Sequence, residues 1–364
     1  MEHAFGREAP FRLGMEEELL LVDPDTLELA NASSELMPRV RAEAGKVMHD
    51  VYEPLVELVS PVVDDAAGGA AALHGLREAI RAAGGTLVGC GLHPTAAFGA
   101  VRHVDRPRYA AIAEEMRGLL ARTPTCALHV HVGMPDPETA IRCCDRLRPW
   151  LPVLQALAAG SPYWHGIDSG FATARAQHFR GYPRAIIPPA FGSWDAYVAF
   201  AQSWVGAAGV ADYTYLWWDL RPHPFLGTLE LRAMDAQASI DAVAGLCALA
   251  HGLVLALAER DAGPRDDLSS PVLMESSFRA GRDGLEATIW WEGALRPIRD
   301  VAATAIALAR EGGGGPALEE AERILRDGNA ATRMRADHAR GGMRAVLEGL
   351  RDEALRGRPA TAGG

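Results

Sequence analysis

The chain is almost without lysine: Lys46 stands alone, and arginine carries nearly all the positive charge. No Gly-Lys-Ser/Thr element occurs, so a phosphate loop of that type is excluded and any nucleotide must be held by other groups. There is no basic block, and the formal net charge is -11, which argues against a nucleic-acid partner. Cysteine is sparse. Cys90, Cys126, Cys143, Cys144 and Cys247 are scattered with no Cys-x-x-Cys, which fits a reducing cytosol better than a disulfide framework. None of them sits in a basic neighbourhood that marks a nucleophile, and Cys126 and Cys247 read as core. The start, "MEHAFGREAPF", is polar and acidic rather than secretory, so a cytoplasmic location is expected. The longest apolar run, residues 242–258, includes His251 and falls short of the roughly 20 residues that span a bilayer. It reads as a core helix, and no membrane partner is expected.

What is present suits a globular protein. The 364 residues are 49% apolar and 23% charged. Strand-like segments occupy 11–22, 51–62, 86–94, 126–134, "DYTYLWW" and "GTLELRAMD", and "DPDTLEL" reads as a turn into a short second strand. Helical spacing covers 71–85 and 107–122. Residues 136–160 read as an N-capped helix kinked by Pro149 and Pro152. The stretch 161–191 is irregular and rich in Gly, Pro, Arg and His; His165, Arg175, His178 and Arg180 there suggest substrate contacts or a lid. From Ser239 onward the pattern is helical, broken at "EGGGGP". Strands and helices do not alternate as βαβ units, which predicts α+β with an antiparallel sheet. No long linker divides the chain, so residues 1–354 are expected to form a single catalytic domain, with 355–364 a disordered tail.

Glu16, Glu17 and Glu18 interrupt an otherwise apolar strand. Strand residues i and i+2 share a face, so Glu16 and Glu18 point one way and Glu17 the other. A buried carboxylate costs several kcal/mol unless it is paired or bound to a cation, on the order of known burial penalties. A solvated edge strand would explain one such segment. Here the pattern recurs: Glu57 lies within "LVELV" with Asp50 upstream, His129 and His131 share a face of "LHVHVG", and Glu230 and Arg232 share a face of "TLELRAMD". On one sheet these faces would line a bowl of oxygen donors, imidazoles and an arginine. Many carboxylates and few nitrogens suit Mg²⁺ or Mn²⁺ rather than zinc, and hard cations beside arginine suggest phosphate chemistry.

The segments "GMEEELLLVDP", "LVELVSP", "LHVHVG" and "GTLELRAMD", in this order and spacing, resemble the carboxylate–amine ligases of the glutamate–cysteine ligase type 2 family. The resemblance implies a glutamine-synthetase-like fold: a curved antiparallel β-sheet forming a bowl, backed by helices, with a helical C-terminal third. It implies ATP and Mg²⁺ as cofactors. Glu16, His129 and Glu230 would then hold one Mg²⁺, and Glu18, Asp50 and Glu57 a second nearer the reacting carboxylate. Arg232 would contact the transferring phosphoryl group, with Glu57 and Arg232 the catalytic pair. Glu17 has no ligand role in this picture. Arg279 in "SSFRAGRDG" lies in a segment similar to an arginine-rich stretch of the family, although Ser276, Ser277 and Phe278 depart from its pattern, and Arg333 in "GNAATRMR" lies in a family-like stretch from which it could reach phosphate; both are cofactor-binding candidates. Arg221 in "WWDLRPHP" is a further nucleotide or substrate candidate, whereas Trp217 and Trp218 read as core. The implied reaction joins glutamate, or a related carboxylate, to cysteine or another amine through an acyl phosphate, in a possible homodimer. Two rival readings stand beside it: a zinc-dependent metallohydrolase using His129 and His131, and a catalytically silent binding relative.

Overall fold

The computed structural model of the chain describes residues 1–259 and 268–356. Its strands are β1 (Leu13–Val22), β2 (Lys46–His49), β3 (Leu55–Val59), β4 (Thr86–Val88), β5 (Ala127–Gly133), β6 (Tyr163–Trp164), β7 (Ile167–Asp168), β8 (Leu220–His223), β9 (Thr228–Asp235), β10 (Thr288–Trp291) and β11 (Ala294–Pro297). Seven of them form one antiparallel sheet in the order β2-β3-β1-β5-β9-β8, with β4 paired to the end of β1. β6 with β7 and β10 with β11 make separate two-stranded hairpins.

The alternation of β1 sorts the two faces. Leu13, Met15, Glu17, Leu19 and Leu21 point towards the helices and are buried. The helix Ala66–Ala82 packs on this face, capped by the Asp65 side chain accepting from the Gly68 N–H. Behind it runs the helix Ile240–Glu259. By length and composition it could cross a membrane, but 89% of its apolar window is buried inside the protein, so it is a core helix. Its neighbours come very close: a Cβ at Gly252 would lie 2.4 Å from the Ala309 carbonyl oxygen, which leaves glycine as the residue that fits. One continuous apolar cluster joins residues from Phe5 to Leu350.

The proline-rich helix behaves as its sequence predicts. Pro137–Leu147 is α-helical, Arg148–Trp150 tightens to 3₁₀, and Leu151–Leu157 resumes the α form. Elsewhere local chemistry overrides the strand pattern. Residues 213–215 form a 3₁₀ turn rather than a strand, because the Asp212 carboxylate accepts the Thr214 N–H and offers the backbone a turn. The 51–62 segment is extended only over Leu55–Val59, and "DPDTLEL" contributes a single bridge, Val22 to Leu29. The 86–94 segment is a strand only over Thr86–Val88. The stretch 161–191 holds the β6–β7 hairpin and the helix Ala174–Phe179. The helix Trp194–Ala208, unforeseen in the sequence, starts at a Ser193 cap. The last helix runs through Leu355, the first residue of the expected tail, and residues 357–364 lie outside the described residues.

Candidate active site

Register places the polar faces side by side. Glu16 is opposite His129, Glu18 is opposite Glu57, and His131 is opposite Glu230 across β5 and β9. Arg221 on β8 is opposite Glu230. One interruption decides the rest. Between Leu128 and Val130 the partner strand β9 carries an extra residue, so Arg232 and Ala233 together span His129. Such a bulge shifts alternation by one. Glu230 and Arg232 face the bowl, whereas Met234, which strict alternation would send there too, pairs with Leu128 on the helix side. Asp235 is buried with Ser161, Thr173 and the Gly160 N–H as partners.

Two groups of acids result, and their electrostatics differ. In the first, donor atoms of Glu16, His129 and Glu230 all lie within 4.8 Å of one another. Glu16 Oε2 is 3.4 Å from His129 Nδ1, and Glu16 Oε1 is 3.4 Å from His131 Nε2. Burial works against the charged form of Glu16, but the His131 and His129 imidazoles hold its carboxyl well below the usual range. Glu230 is likewise buried yet held well below that range by Arg221 and Arg232. Burial and the Arg232 charge push His129 down to about 4, leaving a neutral imidazole with a lone pair.

The second group is Glu18, Asp50 and Glu57. Here burial, then the Asp50 charge, pushes Glu18 up to about 7. Burial, then Glu16, Asp50 and Glu18, raises Glu57 well above its ordinary value. Burial raises Asp50. Three carboxylates crowd together with Arg232 as a shared cation, too little positive charge for full ionisation. Both donor sets are oxygen-rich, with one neutral imidazole, and fit hard divalent cations. A cavity of about 470 Å³ opens beside the second group and is bordered by Glu18, Asp50, Glu57, His129, Arg175 and Arg232.

Glu17, on the opposite face, is fully buried and bidentate with Arg77, at 2.8 and 2.6 Å. Arg77 also donates to the Gln237 and Ala238 carbonyls, so the pair pins the helix Ala66–Ala82 to the sheet and to the end of β9.

The family of the chain can now be read against this geometry. The model of the glutamate–cysteine ligase family 2 matches residues 12–349. The chain belongs to that family. It is 37% identical over 287 residues to a protein of Halobacterium salinarum named glutamate–cysteine ligase, covering 76% of this chain and 80% of the relative. Its fold is similar to a glutamate–cysteine ligase of Francisella tularensis solved in complex with AMP, with TM-score 0.68, 12% identity and coverage of 96% of this chain and 89% of the other. It is also similar to a bifunctional glutathione synthetase of Pasteurella multocida, with TM-score 0.69 and 15% identity. That match covers 94% of this chain and spans 52% of the longer protein. The glutamine-synthetase-like α+β fold follows, and the protein is an enzyme of the carboxylate–amine ligase type. The metallohydrolase reading falls with this assignment.

Three arginines expected at the nucleotide are placed elsewhere or otherwise engaged. Arg279 is on the surface of the helix Ser270–Asp283 and pairs with Glu275 one turn away at 3.0 Å, apart from the cavity. Arg333 pairs with Glu353 at 3.3 Å beside a separate, charged groove lined by Arg323, Asp327 and Arg356. Arg221 is buried behind Glu230, donating to both its oxygens at 2.7 and 3.2 Å and to the Thr214 and Leu216 carbonyls. Its donors are turned inwards, so it orients Glu230 rather than facing a ligand. Arg175, in contrast, lines the cavity, as does Trp217, while Trp218 is core as expected. Tyr52 and Tyr182, joined through their hydroxyls at 3.3 Å, also border the cavity and carried no sequence signal.

Proposed function

We propose that this ligase consumes ATP with Mg²⁺ to join the γ-carboxylate of glutamate, or a close relative, to an amine through an acyl phosphate. The observation that carries the reading is the convergence of Glu16, His129 and Glu230 within 4.8 Å, with Glu18 and Glu57 on adjacent strands crowded by Asp50 just past the end of β2. Glu16, His129 and Glu230 would hold one divalent cation, and Glu18, Asp50 and Glu57 a second. Bound there, such ions neutralise phosphate charge and polarise phosphoryl oxygens.

The remaining chemistry belongs to the chain. A carboxylate is a poor acyl donor because oxide would have to leave. Attack of its oxygen on the γ-phosphorus of ATP forms a C–O–P link and releases ADP. The amine nitrogen then forms the C–N bond while phosphate departs with the electron pair of the C–O bond, and the amine gives up a proton. This chemistry depends mostly on positioning and charge. Arg232 is the group to stabilise the transferring phosphoryl oxygens: it is partly exposed, paired to Glu230, and close enough to Glu18, Asp50 and Glu57 to influence each. Arg221 keeps Glu230 ionised and fixed. The test is ADP release with glutamate and a panel of amines, with and without Mg²⁺. Turnover without nucleotide, or none with any pair of substrates, would refute the reading.

A further inference from the structure

The cavity beside Glu18, Asp50 and Glu57 has two unlike kinds of lining, which meet where the Arg175 guanidinium lies over the Phe179 ring, 5.5 Å from its centroid. One is ionic. Arg175 and Arg232 line it, and each keeps a buried Nε–H with no partner. Arg175 is only 4% exposed, and its weak contacts, 3.4 Å to the Arg232 carbonyl and 3.7 Å to Asp235, leave donor capacity unused. Two guanidinium groups with spare donors match a substrate bearing two carboxylates.

The other is a wall of Tyr52, Phe179, Tyr182, Trp217, Leu120 and Ile112. Its tyrosine hydroxyls are already engaged. The Tyr52 and Tyr182 hydroxyls meet at 3.3 Å, and Tyr182 reaches the Leu119 carbonyl at 3.4 Å. The Tyr182 and Trp217 rings meet edge to face at 5.6 Å. What this wall presents is mainly ring and aliphatic surface, with the Trp217 indole N–H as a donor. A cysteine side chain would cover little of it, whereas an aryl group would bury its faces and displace water.

We propose that the amine acceptor of this enzyme carries an aromatic or bulky apolar group that packs against Tyr52, Phe179, Tyr182 and Trp217, while the dicarboxylate donor lies against Arg175 and Arg232. The assignment rests on the ligase reading above for its direction, since the arginine lining is given to the acid and the apolar wall to the amine. The wall is given to a condensing substrate because it shares the cavity with Glu18, Asp50 and Glu57, the acids assigned to the cation nearer the reacting carboxylate.

The test uses the full chain with ATP, Mg²⁺ and glutamate. ADP release is measured with phenethylamine, ethylamine and cysteine, and phenethylamine binding is measured separately by calorimetry. Phenethylamine is expected to exceed ethylamine and cysteine by about tenfold or more in kcat/KM, an apolar-contact effect of ordinary size. Trp217→Ala is expected to raise its KM about tenfold with little change in the KM for ATP, and Trp217→Phe to restore most of it. Cysteine preferred over phenethylamine overturns the proposal. A parallel rise in the KM for ATP also overturns it, because the wall would then hold adenine. A phenyl-bearing dicarboxylate outperforming glutamate, with no preference among amines, overturns the assignment of the two linings. If no amine supports turnover, calorimetry decides: phenethylamine binding lost in Trp217→Ala sustains the proposal and refutes only the ligase reading, and no binding refutes the proposal.

Discussion

At the scale of single residues, three adjacent glutamates have different fates. Glu16 and Glu18 enter the bowl; Glu17 is buried against Arg77 with both oxygens bonded. Glu16→Gln removes one candidate ligand and is expected to lower kcat/KM by at least about 100-fold while the fold remains, as is typical for a metal-site acid. ADP release and circular dichroism together check this. Glu17→Gln acts on the other side of the sheet. It leaves Arg77 buried with half a partner, so it is expected to cost about 3–5 kcal/mol of stability, the range for a broken buried pair. Urea unfolding measures that loss. Activity of the fraction still folded is expected to stay near the parent, and a variant as stable as the parent would contradict the pairing. Arg221→Lys keeps the charge behind Glu230 but loses the bidentate fork, and is expected to lower kcat more than it raises the KM for ATP. A raised KM with unchanged kcat would instead mean direct nucleotide contact.

At the scale of elements, alternation is the organising rule and the bulge on β9 is its exception. β1, β3 and β5 could be sorted into inward and outward faces from sequence because their period of two is unbroken. The bulge at Arg232–Ala233 is set by the backbone, including the Arg232 N–H donating to the Asp219 carbonyl at 2.7 Å, and no residue type announces it. Helix ends tell the reverse story. Asp65, Asp136 and Ser193 cap their helices as their residue types favour. The 194–208 helix escaped detection because its aromatic residues blur the apolar stripe, although Ser193 was a readable start signal. Ser193→Ala is expected to cost about 1 kcal/mol with no effect on turnover, as lost caps do. Thermal unfolding with a parallel activity assay tests it.

At the scale of the molecule, the uncompensated acids couple stability to pH and to divalent cations. The Glu18 pKa rises from 4.5 to about 7 on folding, so the folded chain binds this proton more tightly than the unfolded chain. The stabilisation it gives is full below pH 4.5, declines as pH rises, and is gone above about 7. Glu57 and Asp50 are shifted in the same direction. Glu16 and Glu230 run oppositely, and their contribution is lost only as acid protonates them below the usual carboxylate range. A cation that replaces the protons supplies the missing charge. Mg²⁺ is therefore expected to raise the melting temperature more at pH 8 than at pH 5, and chelation to lower it at pH 8. Calorimetric scans at the two pH values, with and without Mg²⁺, check the sign; an equal shift at both would contradict it.

The sequence by itself determined which acids and imidazoles share a strand face, because side-chain direction in a strand depends only on position along the chain. It also determined the family likeness, but not the β10–β11 hairpin, which lies inside the stretch that reads as helical. The tertiary structure alone decided which strands became neighbours, where the β9 bulge fell, and that Arg221 stands behind Glu230 while Arg279 and Arg333 lie apart. Those depend on contacts between residues far separated in sequence, and the backbone hydrogen bonds that fix them carry no side-chain signature.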